Sequence, residues 1–450
     1  MRPPPIPGDR KLVPIRQSQV PAGSPTTHPN SSLISPFAIR ASILTYLSYD
    51  RFPSPKGAAT HIDAFARALG SSFGGLSLLT VPPAADEAFE WVADGVEHFP
   101  LPGGGQHLFE RVRHFRTQIW RWWRDHRNGQ PADVVHFRSP MEGYPIARDK
   151  RRFAKMLVYE VNGLPSIELK YHYPAVADDD ELLTKLRSQE QVCLAAADLV
   201  ITVSNVNRSH LIDRGVDPER IAVIRNGVDL NTFAPAEAEP RGPEYANSPT
   251  DELKLLYAGG LTAWQGVAHA VDALALARRD WPARLTLIGP ARSRQRRTVL
   301  ERAWRAGVAD FVEVLPPVPK QELAEYHRRS DIVLAPLTAN DRNTVQGCCP
   351  LKVVEAMACG SAIVASDLAV VRELASPVEA QLVKPGSAKA IKDGVLELLD
   401  PLVRRRLGAA ARRRADKEFC WSRAQRELVT CYGRLLDPQQ RTERTATNAM

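Results

Sequence analysis

One pattern, occurring twice, constrains this chain more than any other. Apolar runs of strand length at residues 42–47, 76–81, 133–137, 156–161, 198–203 and 221–224 are separated by segments such as 57–69 and 181–197. In those segments apolar residues recur every three or four positions. Continuous apolar strands need cover on both faces, and the intervening helices supply it, so the pattern predicts a buried parallel sheet. Residues 235–250, dense in proline and small polar residues, can hold neither a helix nor a central strand. Beyond them the alternation restarts, with strands expected at 254–258, 284–288, 311–315, 331–335, 362–365 and 381–383. The fold class is therefore α/β, with two doubly wound domains facing a cleft. The boundaries expected are 39–234 for the first domain, 235–252 for the linker and 253–415 for the second, with a C-terminal helix at 416–436. Residues 402–436 as a whole read as helical.

At 450 residues, 44% of them hydrophobic, the chain has enough apolar material for two cores. Residues 1–38 carry no structural period and are expected to form a disordered tail, and 437–450 a polar tail. No apolar stretch reaches the length of a membrane span and no signal peptide is evident, so a cytoplasmic location is expected. The six cysteines lack metal-ligand spacing and are expected to be reduced thiols, with no metal site. A formal net charge of +8 favours anionic partners without choosing among them.

Open α/β sheets bind ligands where strands end, so the residues just after strands carry the functional information. After the first strand, Gly57 opens a helix whose N-terminus suits phosphate, with His61 one turn on. No Walker loop occurs, and Gly103-Gly104-Gly105 is read as following no strand. Asn226-Gly227-Val228-Asp229 is expected to make a left-handed turn toward the linker. Tyr257-Ala258-Gly259-Gly260 closes a strand, and Trp264-Gln265-Gly266 opens the next helix. In Pro350-Leu351-Lys352-Val353-Val354-Glu355, Lys352 and Glu355 are three apart, on one helical face. There a cation can meet phosphate and a carboxylate can accept from ribose hydroxyls, or the two can form a plain salt bridge.

In their order, Asn226 to Asp229, Tyr257-Ala258-Gly259 and Pro350 to Gly360 (PLKVVEAMACG) resemble glycosyltransferase family four, the retaining enzymes of the GT-B fold, over about residues 43–435. The resemblance implies two Rossmann-like domains and transfer of a sugar from a nucleotide-sugar donor with retained configuration. It implies no metal or other cofactor, with the donor on the C-terminal domain and the acceptor on the N-terminal one. The acceptor class it implies is a cell-envelope polysaccharide, a glycolipid or a small metabolite. It makes Glu355 the ribose carboxylate and Gly57 the loop glycine near the diphosphate. Lys352 joins Glu355 as a catalytic candidate, and Gly259, Gly260, Gln265, Arg342, Pro350 and Leu351 complete the donor-binding set.

Three departures set this chain apart from the family pattern. Gly347 stands where the first glutamate of a pair is usual, Gly260 and Gln265 where diphosphate-binding Arg and Lys are common, and Asn162 where a histidine is frequent. Similarity to a branch with Trp-Gln-Gly and Pro-Leu-Lys segments implies that Lys352, with Arg342 or Arg138, neutralises the diphosphate instead. His61, Arg138, Glu160 and Asn162 are the acceptor-side candidates. A non-catalytic nucleotide-sugar-binding protein and a sugar-nucleotide epimerase of the same fold are the alternatives.

Residues 109–127 hold Phe109, Phe115, Trp120, Trp122 and Trp123 among six arginines, against Glu110 and Asp125. Such a helix either docks on an anionic membrane surface or packs its aromatics on the sheet. No nucleic-acid module is present, so nucleic acid is not an expected partner.

Overall fold

The computed structural model describes residues 43–54, 57–83, 91–235 and 252–437. The tail expected at 1–38, nearly all of the linker and the tail beyond 437 lie outside the described residues, as do Pro55 and Lys56. In the N-terminal half, β1 (Leu44–Arg51), β2 (Leu76–Val81), β3 (Val96–Pro100), β4 (Ala132–Phe137), β5 (Ala154–Val161), β6 (Leu199–Thr202) and β7 (Ile221–Val223) form one sheet. Its order is β3-β2-β1-β4-β5-β6-β7, all parallel. In the C-terminal half, β8 (Leu253–Ala258), β9 (Ala283–Ile288), β10 (Val312–Leu315), β11 (Ile332–Ala335), β12 (Ala362–Ser366) and β13 (Gln381–Val383) form the second. Its order is β10-β9-β8-β11-β12-β13, again all parallel. The central strands are apolar throughout because both faces are covered, and every residue of β11 and β12 is buried. Strand order reverses between β1 and β4 and between β8 and β11, the two places where such sheets open a crevice.

β3 was not among the expected strands. Its sequence, Val-Glu-His-Phe-Pro, lies at the sheet edge with no residue fully buried, so it lacks the apolar run that marks the others. Gly103 to Gly105 therefore do follow a strand, contrary to the sequence reading, and lead into the helix Leu108–Arg127. That helix turns Phe115, Ile119, Trp122 and Trp123 inward, where they join Phe137 and Tyr159 in the core, while Val112 packs with Met141, Leu169 and Leu186. Three of its five aromatics thus pack on the sheet. Trp120 lies edge-on to Phe153 beneath Arg152, and Phe109 is exposed.

The C-terminal region is two helices rather than one, Pro401–Glu418 and Trp421–Leu436, broken at Phe419 and Cys420. The first covers the second sheet. The second returns to the first sheet, where Ala424, Leu428, Tyr432 and Leu435 pack with Phe65, Leu69 and Phe73. Outgoing and returning chains cross side by side: Val228 N donates to Phe419 O at 2.7 Å and Val228 bridges Cys420. Neither Asn226 nor Gly227 takes the left-handed conformation expected of them. Gly227 is required by space instead, since a Cβ there would lie 2.5 Å from Trp421 N. Arg328 Nη1 donates to Thr232 O and Ala234 O, and Arg412 Nη1 to Phe233 O, clamping the outgoing segment. Arg404, on the same helix as Arg412, likewise donates to the backbone carbonyls of Leu398 and Leu399.

Candidate functional site

Two loops at the carboxyl ends of β8 and β11 converge. After β8, Gly259 and Gly260 lead to the turn Ala263–Gln265 and the helix Val267–Ala277. After β11, a π-turn, Arg342–Gln346, precedes the helix Leu351–Ala358. Lys352 sits in the first turn of that helix and is 6% exposed. Its Nζ donates to Gln265 Oε1 at 2.7 Å, lies 3.9 Å from the Tyr257 ring centroid and rests against Gly259, where a Cβ would come within 2.9 Å of it. No carboxylate pairs with it among the described residues. Burial without a counter-charge pushes this ammonium down to about 7, while Cys348 and Glu355 pull it the other way.

The surroundings are rich in hydrogen-bond donors and poor in acceptors. Among the described residues, Trp264 Nε1 and Arg342 Nη1 are buried with no partner, although the Arg342 guanidinium lies 3.8 Å from the Trp264 ring centroid. Buried donors left unmet mark either strain or a missing ligand.

Lys352 and Glu355, expected to act on one face, make no ion pair and look different ways. Glu355 lines a cavity of about 450 Å³ with Thr60, Asp229, Lys320, Trp421 and Gln425. Its carboxyl is raised to about 7 by burial, with Lys320 and then Lys352 opposing. Leu351 lines the same cavity and touches the other domain, since a Cβ on Gly57 would lie 2.7 Å from its Cδ1. The helix starting at Gly57 thus meets the one that Pro350 caps, and Pro350 O accepts from Val353 N. Of the donor-side residues read from sequence, Gly259, Gln265 and Lys352 are in direct contact. Gly260 contributes only its carbonyl, which accepts from Tyr257 OH at 2.7 Å. Arg342 is engaged by Glu168 of the N-terminal domain, Nε to Oε1 at 2.9 Å.

Gly347 has φ +78°, and a Cβ there would meet Ser204 Oγ at 2.6 Å and Asn207 N at 2.8 Å. The position that carries a glutamate in the family pattern is here too tightly packed for any side chain.

The acceptor-side candidates converge on one atom group. The carboxylate of Glu160, at the end of β5 and 0% exposed, accepts from Tyr46 OH at 2.7 Å, from Arg138 Nε at 3.0 Å and from Asn162 Nδ2. His61 Nε2 and His136 Nε2 lie 3.2 Å and 3.0 Å from it. Burial works against ionisation, but Arg138 and then His61 hold the carboxyl well below its usual range. His61 Nδ1 continues to Asn226 Oδ1 at 2.8 Å, and Asn226 Nδ2 donates to Cys349 O at 3.0 Å, beside the donor-side helix. His136 Nδ1 meets Tyr432 OH of the returning helix at 2.7 Å. Burial lowers the proton affinity of both histidines. Of the four, His61, Arg138 and Glu160 are buried and committed to one another, while Asn162 is partly exposed beside them. Arg138, considered for the diphosphate, is committed to Glu160 and Asp50.

Sequence reasoning missed the residues that join the two domains. Asp341 accepts from Lys170 Nζ at 2.5 Å and from Tyr171 OH. Glu373 accepts from Asn205 N, Val206 N and Arg225 Nη2 at 2.9 to 3.1 Å, closing the N-terminus of the helix Asn205–Asp213. Such pairs form between residues far apart in sequence, and no local motif announces them.

With this geometry in place, comparison with known proteins is informative. A family model described as Glycosyltransferase Family 4 matches residues 55–232, and one described as Glycosyl transferases group 1 matches residues 252–401. The D-inositol 3-phosphate glycosyltransferase of Frankia alni is 30% identical over 317 residues, spanning 68% of this chain and 75% of that protein. That of Geodermatophilus obscurus is 27% identical over 396 residues, 82% of this chain and 80% of its own. Among solved structures, sucrose-phosphate synthase from Thermosynechococcus elongatus matches with a TM-score of 0.72 at 20% identity, over 87% of this chain and 99% of that one. Anabaena HepE, solved with UDP and glucose, matches with a TM-score of 0.66 at 18% identity over the same shares. The shared architecture is the GT-B fold.

Proposed function

Since the chain belongs to glycosyltransferase family four, we propose that it moves a hexosyl group from a nucleoside-diphosphate sugar to an acceptor hydroxyl with retention of configuration. The observation that carries this reading is Lys352: a buried ammonium with a neutral partner, at a strand-end crevice, beside donors that have no acceptor. A diphosphate is the group that would satisfy all of them. As the bond from the anomeric carbon to the diphosphate breaks, charge grows on the leaving oxygen, and preorganised Lys352, with Arg342, stabilises it. The acceptor oxygen bonds to the same face of the sugar, and its proton passes to the departing phosphate. Two cations supply the charge compensation, so we propose no metal. Glu355, facing the cavity near Lys320, is assigned to the ribose.

Phosphorylated polyols are the first acceptors to test, because the relatives are named for inositol 3-phosphate. No helix among the described residues is long and apolar enough to cross a membrane. Any contact of residues 109–127 with an anionic surface would rest on exposed arginines and Phe109.

The test is binding and slow hydrolysis across a panel of nucleotide sugars, with and without chelator, for the wild type and Glu355→Ala. One donor should bind, be hydrolysed regardless of chelator, and lose affinity in the variant. Binding of a donor with no turnover alone or with any acceptor would convert the reading to that of a non-catalytic binding protein.

A further inference from the structure

A row of contacts runs from the N-terminal domain to the buried ammonium. Glu168, on the helix Pro165–His172, reaches across: its Oε1 lies 2.9 Å from Arg342 Nε and accepts from Gln346 Nε2 at 2.9 Å. Leu164 N donates to Gln346 Oε1 at 2.9 Å, so both ends of the π-turn Arg342–Gln346 are held by the other domain. The guanidinium of Arg342 covers the Trp264 ring at 3.8 Å. Asn343 Nδ2, from the same π-turn, donates to Trp264 O at 3.1 Å. The next residue, Gln265, accepts from Lys352. Carboxylate, guanidinium, indole, amide and ammonium are thus consecutive contacts, and the row crosses between domains once.

We propose that Glu168 is a positioning residue for sugar transfer: by holding Arg342 over Trp264 when the domains are together, it fixes the turn that presents Gln265 to Lys352, so that domain closure assembles the anion site. The substrate in this statement rests on the reading above; the row of contacts does not. Three features support it. The connecting turn is a short π-helix whose two ends are both held by the N-terminal domain. A guanidinium–carboxylate contact is directional and charge-assisted, so it reports domain separation steeply. Glu168 and Trp264 leave Arg342 Nη1 buried without a hydrogen-bond partner, with Cys348 beside the guanidinium.

The experiment reads Lys352 in the full chain, by NMR of lysine ε-carbons, with Lys352→Met identifying its signal. Tyr257 and Cys348 lie beside the ammonium, Glu355 acts on it from the same helix, and all three remain in place in the variants. In the wild type it should titrate near 7. In Glu168→Ala the turn loosens, water reaches the ammonium and the titration moves up by about a pH unit or more. Arg342→Gln cuts the row one link later and should do the same, which covers the case in which Glu168→Ala fails to fold. UDP affinity should fall about tenfold in Glu168→Ala, and Glu168→Ala with Gln265→Ala should lose no more than the worse single variant. An unchanged Lys352 titration in folded Glu168→Ala and Arg342→Gln, or additive losses in the double variant, would overturn the proposal. If the wild type binds no UDP, the functional reading falls, while the lysine titration still decides whether the row acts as stated.

Discussion

Two buried charges at the ends of parallel strands meet opposite fates in this molecule. Glu160, at the end of β5 in the first sheet, is surrounded by Tyr46, His61, His136, Arg138 and Asn162, so its lone pairs face donors from several elements. Lys352, on the helix that follows β11 of the second sheet, has a single neutral acceptor and no carboxylate. Similar topology and similar burial thus produce a satisfied carboxylate and an unsatisfied ammonium. Removing one partner from a compensated buried charge destabilises the fold, whereas a buried charge without compensation costs stability where it stands. On the function proposed above, that difference gives the first site a structural role and the second a role in anion recognition.

The sharpest way to break this comparison is to remove each charge. Glu160→Ala leaves Arg138 buried and two histidines without their partner, and should lower unfolding free energy by about 3–5 kcal/mol in denaturant titrations. A loss below about 1 kcal/mol would mean that the cluster is not structural. Lys352→Met should leave stability unchanged or slightly raised, because a desolvated charge is removed. Its UDP affinity should fall by about 10- to 100-fold, the worth of about 1.5–3 kcal/mol for a charged hydrogen bond. Equal destabilisation by the two variants would erase the contrast.

Gly347→Ala sharpens it at the domain interface. The backbone at Gly347, φ +78° and ψ 165°, is a conformation only glycine readily adopts and costs an alanine about 1–3 kcal/mol, and its Cβ would press on Ser204 and Asn207. A stability change near zero would show that the two walls separate freely there. The last contrast is in pH. Glu355, raised to about 7, lets the folded state hold more protons than the unfolded chain between 4.5 and 7, so stability falls as pH rises through that window. Lys352, lowered from 10.5 to about 7, makes the unfolded chain hold more protons above 7, so stability then rises. The two together give a minimum near pH 7, which should lose its acid side in Glu355→Gln.

The sheets were legible in the sequence because buried parallel strands are continuous apolar runs, and only β3, an edge strand with Glu97 and Pro100, escaped. The break at Phe419 and Cys420 was hidden because helical periodicity continues on both sides of it. Lys352, Gln265 and Gly259 could be chosen from strand-end position and motif, and the fold brings them together. Glu160 was found but not its burial, which is set by Tyr432 and the returning helix nearly three hundred positions away. Glu168, Asp341 and Glu373 were invisible, since an ion pair across domains leaves no periodic trace.

The central claim is that Lys352 recognises the diphosphate of the donor, and UDP titration calorimetry from pH 6 to 9 on the wild type and Lys352→Met tests it most directly. Below 7 the ammonium is charged before UDP arrives; above 7 it must take up a proton to bind. Wild-type affinity should therefore fall by up to about tenfold per pH unit above 7 and be much flatter in Lys352→Met. The same affinity and the same pH dependence in both proteins would contradict the account.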